Sequence, residues 1–163
     1  MNDPITDWRN RRASMQAANK KLVQKLRKKK KKPLNELGDQ LHEEVFEQVD
    51  CLQCANCCTS IPPIVNKTDA ARIAKHLGMK VAEFEEEYLT QDEDGDRVMN
   101  TSPCRFLLEN NHCMIYEYRP KACRQYPHTD NFEFGERLRL HAVNAFYCPG
   151  VFHILERIRQ IGL

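Results

Sequence analysis

The chain has 163 residues, 41% of them apolar and 29% charged, enough for one hydrophobic core under a generous solvated surface and too few to favour two full domains. No stretch approaches the roughly 18 consecutive apolar residues of a membrane span. The opening Met1-Asn2-Asp3-Pro4-Ile5-Thr6-Asp7 lacks the apolar centre of a secretory leader, so a cytoplasmic location is expected.

The net charge of +2 conceals an asymmetry. Residues 1–33 hold 12 Lys/Arg and 2 Asp, whereas residues 34–163 hold 13 basic and 21 acidic side chains. Two parts are therefore expected: a basic N-terminal arm over 1–33 and a folded domain over 34–163. The arm peaks in the six adjacent cations Arg27–Lys32, which repel one another and attract polyanions. A weak contact with RNA or another acidic surface through residues 20–32 is the expectation. No aromatic side chain is interleaved to stack on bases.

Along the chain, residues 8–32 have loose helical spacing and are expected to stop before Pro33. Leu34, Leu37, Leu41, Val45 and Val49 recur every three or four residues and mark an amphipathic helix. Beyond Ile61-Pro62-Pro63, Thr68 reads as the N-cap of a helix running to Leu77 and stopped by Gly78. A shorter helix is expected over 81–89, then an acidic turn at Asp92–Asp96. Arg105–Leu108 and Cys113–Tyr116 flank Glu109-Asn110-Asn111-His112, which reads as a hairpin. An extended piece is expected near 137–140 and a helix over 151–161. The fold class is therefore α+β, a small irregular cysteine-rich domain bracketed by helices, with the basic helical arm in front.

Eight cysteines stand at 51, 54, 57, 58, 104, 113, 123 and 148. The first four spell Cys51-x-x-Cys54-x-x-Cys57-Cys58. A C-x-x-C step lets two thiolates converge on one ion, and two consecutive steps match the start of a bacterial ferredoxin cluster loop. Disulfides are disfavoured in a reducing cytoplasm, and adjacent Cys57 and Cys58 are awkward to bridge. Burial as a small apolar group would account for Cys104 or Cys148, not for the quartet. A thioredoxin-like pair would follow a strand, whereas Cys51 follows a helix. Metal ligation remains.

The sequence resembles the YkgJ-type cysteine-cluster family, described as zinc- or iron-chelating. The resemblance is carried by Cys51, Cys54, Cys57 and Cys58, by Cys104-Arg105-Phe106-Leu107 and Cys113-Met114-Ile115-Tyr116, by Arg119-Pro120-Lys121-Ala122-Cys123-Arg124, and by Cys148-Pro149-Gly150. It implies metal chelation by Cys51, Cys54, Cys57, Cys58, Cys104, Cys113, Cys123 and Cys148, without a settled biochemical activity.

Thiolates select zinc, iron or an iron–sulfur cluster over calcium and magnesium. Eight sulfurs suit two tetrahedral zinc sites, or one [4Fe–4S] cluster with a separate site. One partition groups Cys51, Cys54, Cys57 and Cys148, leaving Cys58, Cys104, Cys113 and Cys123 for the other; sequence order leaves the division open. His112 and His128 lie near the cluster in sequence, and Arg105, Arg119 and Arg124 offer charge to offset thiolates. Gly-rich phosphate loops, G-x-S-x-G and H-E-x-x-H are missing, which argues against an ordinary hydrolase or kinase. A structural metal in a binding module, a redox or metal-carrier centre, and an RNA- or ribosome-associated module using the Lys-rich arm are the functions left in play.

Overall fold

The computed structural model describes residues 3–163. Among them are ten α-helices and one two-stranded antiparallel sheet, which is the α+β, helix-bracketed class the sequence implies. The chain forms two compact units. Residues 52–126 make a cysteine-rich unit, and the flanks, 3–51 and 127–163, together make a helical unit.

The helical unit contains α1 (Pro4–Arg11), α2 (Gln16–Leu26), α3 (Lys31–Phe46), α9 (Leu138–Tyr147) and α10 (Pro149–Ile161). Ile5, Trp8, Leu22, Val23 and Leu26 are all buried, so the basic segment supplies α1 and α2 to this core. Its cations Arg27 to Lys32 remain exposed. Pro33 does not end a helix as expected. It occupies the third position of α3, inside the first turn, where a missing N–H costs nothing. Along α3, Leu34, Leu41 and Val45 are buried. Gly38 lies where an added Cβ would sit 2.4 Å from Phe134 Cβ, so only glycine allows α3 this close. Asn35 Oδ1 accepts the Gly135 N–H at 2.6 Å on the same face.

The end of α9 shows why α1 is held. The carbonyl of Ala145 would ordinarily accept from residue 149, but Pro149 has no N–H to give. The Trp8 indole Nε1–H donates to it instead, at 3.0 Å. Arg12 donates to the next carbonyl, Phe146 O, at 3.2 Å, with its guanidinium 4.6 Å from the Trp8 ring centroid. The extended piece expected near 137–140 is instead the first turn of α9.

His141 on α9 is 0% exposed and stacks on Phe134 with ring centroids 4.4 Å apart. Neither ring nitrogen makes a well-aligned hydrogen bond. Burial pushes its pKa down to about 4; the Phe134 backbone opposes this slightly, while His128 and Arg137 add to it. The folded state therefore holds a neutral ring where the unfolded chain, with the ordinary value near 6.5, would take up a proton. Stability is full above that value and falls as the pH drops from 6.5 toward 4. Between about pH 7.5 and about pH 5 the loss should reach roughly 2 kcal/mol. Urea midpoints of the native chain and of His141→Phe, measured at both pH values, check this: the variant should lack that part of the pH slope.

The cysteine-rich unit contains α5 (Asn56–Ser60), α6 (Lys67–Leu77), α7 (Val81–Tyr88) and α8 (Lys121–Gln125), with β1 (Leu89–Gln91) paired to β2 (Arg97–Met99). The four-residue helix α4 (Cys51–Cys54) leads into it. Asn66, not Thr68, caps α6, its side chain accepting the Asp69 N–H, and Gly78 closes it at φ 70°. On α7, Phe84 is fully buried and Val81, at its start, is exposed. The acidic turn at 92–96 joins β1 to β2, with Asp92 Oδ1 accepting from Asp94 and Asp96. That hairpin was not anticipated. The one expected over 105–116 shrinks to a single bridge, Leu107 with Cys113. The unit's core joins Val65, Ala70, Ile73, Phe84, Met99, Phe106 and Ile115, and Phe84, Tyr88 and Phe106 stack in a row at 5.2 and 5.1 Å.

Candidate metal centre

Among the described residues all eight cysteines are thiols, not disulfides. They come from loops and short helices. Cys51 opens α4, Cys54 closes it, and Ala55 then adopts a left-handed conformation, φ 46°. That reversal starts α5, which carries Cys57 and Cys58 on one short turn. Cys104 follows the cis Ser102–Pro103 bond. Two hydrogen bonds tie this segment to α5: Ser102 Oγ donates to Thr59 O at 2.8 Å, and Cys104 N–H donates to Cys58 O at 2.9 Å. Cys113 arrives through the Leu107 bridge, and both Cys104 and Cys113 pack against the unit's apolar core. Cys123 lies in α8.

Three of these thiols, Cys104, Cys113 and Cys123, feel charge on Cys58, and Cys123 feels charge on Cys104 and Cys113 as well. Burial pushes Cys123 up to about 12, and charge on Cys58, Cys104 and Cys113 adds to the rise. Burial likewise raises Cys104, then charge on Cys113 and Cys58. Cys113 is raised by burial and by Cys58. Cys58 runs the other way, lowered to about 7 because the Cys57 thiol donates a hydrogen bond to its sulfur. Mutual repulsion in a poorly solvated pocket is what a cation would relieve. Arg119 supplies part of that relief, favouring the thiolates of Cys113 and Cys123. Its guanidinium lies 3.9 Å from the Tyr116 ring centroid and donates to Tyr116 O at 2.6 Å. Arg105 is directed elsewhere, 3.6 Å from Glu87, and Arg124 donates to Arg119 O.

Among the described residues no three His, Cys, Asp or Glu side chains stand at ion-holding distance. The four sulfurs are neighbours in charge rather than a closed tetrahedron. Their chemistry fits the ion all the same: four soft donors, partly desolvated, with a guanidinium beside them. Cys51 and Cys148 belong to the helical unit, where Cys148 is buried at the start of α10 and its N–H donates to Asn144 O at 2.8 Å. His128 belongs to that unit too.

The sequence gives no hint of the clamp that sets α8. Asp69, 2% exposed, accepts from Arg72 at 2.7 Å and from the Lys121 N–H at 3.2 Å. Arg72 also donates to Arg119 O at 2.9 Å. One buried carboxylate and one guanidinium thus fix the backbone on which Arg119 and Cys123 are carried. As a sequence feature Asp69 is only an acid in a first helical turn.

A family model, CxxCxxCC, described as “Putative zinc- or iron-chelating domain”, matches residues 50–144. The chain belongs to this family. The CxxCxxCC match takes in seven of the cysteines, from Cys51 to Cys123, and ends before Cys148. No curated protein and no solved structure matches the chain. Among the described residues no helix is long and apolar enough to cross a membrane.

Proposed function

We propose that the protein binds zinc or iron through its cysteine thiolates, and that Cys58, Cys104, Cys113 and Cys123 form one ligand set. The observation that carries this reading is that the buried Cys123 thiol feels charge on Cys58, Cys104 and Cys113, with the Cys58–Cys104 backbone hydrogen bond joining two of these segments. An ion held by this set would offset both the burial and the neighbouring charge that keep Cys123 protonated. Because Cys104 and Cys113 lean on the unit's apolar core, the metal acts as a structural element of the cysteine-rich unit, in a binding module of a reducing compartment such as the cytoplasm. An iron–sulfur cluster is the alternative occupant of the same sulfurs.

Protein prepared without air should carry stoichiometric zinc or iron. Iron, zinc and acid-labile sulfide assayed together identify the occupant: sulfide with iron marks a cluster, and zinc without sulfide marks a mononuclear site. Stripping the metal with a strong chelator should lower the melting temperature by circular dichroism. Absence of any stoichiometric metal would overturn the reading.

A further inference from the structure

The helical unit carries a second feature that metal binding does not use. A cavity of about 570 Å³ opens between the α2–α3 connection and the start of α9. Arg27, Lys29 and Lys31 line it from one side and Arg137 and Arg139 from the other, with Glu136 the carboxylate among its lining residues. Arg137 is paired with Glu133 at 2.7 Å. Among the described residues no carboxylate forms an ion pair with Arg27, Lys29, Lys31 or Arg139. Four like charges are thus gathered without an ion-pair partner and with one carboxylate, Glu136, on the same wall, a net positive lining that an anion would relieve. The first turns of α3 and α9 both reach the cavity wall, and neither helix has a side-chain N-cap. Their first N–H groups and the positive ends of two helix dipoles add to the same field.

We propose that this cavity binds the phosphodiester backbone of nucleic acid without reading its sequence. The charge does not stop at the rim, because the exposed Lys28, Lys30 and Lys32 continue it along the surface. A chain of phosphates matches that spread better than a single phosphate group does. No aromatic residue lines the cavity, so bases have nothing to stack on. A membrane surface fits less well, since among the described residues none of the exposed large apolar side chains lies within 20–33 or 134–141 to enter a bilayer.

The test uses the full chain and two fluorescent probes, an RNA duplex and a DNA duplex of the same sequence, titrated at several salt concentrations. Lys31→Gln/Arg139→Gln removes two exposed cavity charges. It should weaken both complexes by roughly tenfold and flatten the slope of log affinity on log salt by about 2. Lys20→Gln/Lys21→Gln removes the same charge from α2 outside the cavity and should change affinity less than about threefold. A difference between the duplexes identifies which nucleic acid is preferred and leaves the backbone contact in place. Equal losses in the two double variants would show diffuse attraction and overturn the cavity as a site. Tighter binding to phosphatidylserine vesicles than to either duplex, or no duplex binding by the native chain, would overturn it as well. Circular dichroism melts of both variants verify that folding is unchanged.

Discussion

Cys123→Ala is expected to bind zinc or iron at the proposed Cys58, Cys104, Cys113 and Cys123 set at least about a hundredfold more weakly than the native chain. Changing a group that merely supports a ligand costs 10- to 100-fold in affinity, so deleting a ligand costs more. Cys123 is the most buried thiol of its set by effect, its pKa pushed up to about 12, and three other thiols contribute to that rise. A bound cation turns the same repulsion into attraction, so the site loses both a donor and its charge balance when the sulfur goes. The expected consequence extends to folding, since structural zinc in small domains contributes on the order of 10 kcal/mol. Cys148→Ala provides the comparison. This change lies outside the proposed set and should leave it loaded. Metal content by mass spectrometry and competition with a chromophoric chelator read the result. Unchanged metal in Cys123→Ala would dissolve the grouping.

Trp8→Ala should be the most damaging single change in the helical unit, costing about 4 kcal/mol. The indole is 1% exposed, so its loss leaves a cavity that the surrounding helices cannot fill. Its N–H also serves the Ala145 carbonyl, which Pro149 leaves without a helical partner. Trp8→Phe separates the two contributions: most of the packing survives and the carbonyl is orphaned, for a cost of roughly 1–2 kcal/mol. Far-ultraviolet circular dichroism melts of the native chain and both variants give the ranking. The reading fails if Trp8→Phe is as unstable as Trp8→Ala, because hydrogen bonding would then outweigh packing.

What the sequence reveals follows from how local each signal is. The stripe of Leu34, Leu41 and Val45 locates α3, and Gly78 locates the end of α6, because both act within a few residues. Pro33 misleads, since a proline ends one helix or begins another and the difference lies in the Lys28–Lys30 turn before it. The true hairpin escapes notice because its strands have three residues each and Leu89 continues the pattern of α7. The segment 105–116 has hairpin composition, yet its backbone is spent on tight turns that deliver Cys104 and Cys113. For the site, spacing singles out the thiols, while the grouping proposed for them rests in part on a hydrogen bond from Cys104 N–H to Cys58 O that no spacing encodes. Asp69 and Arg72 are silent in sequence because their distant partners are backbone atoms of Arg119 and Lys121.

The order of the units along the chain has a consequence during synthesis. The helical unit is built from both flanks, and the cysteine-rich unit is the uninterrupted stretch between them. On the ribosome, α1 to α3 emerge before the middle stretch, with Trp8, Leu26 and Leu41 uncovered, and their partners α9 and α10 are translated after it. The middle stretch can collapse meanwhile, and a collapsed middle brings the two flanks into reach at a smaller entropic penalty than a slack loop would. Scarcity of metal at the moment of translation should therefore reduce the yield of a unit that itself carries few of the ligands.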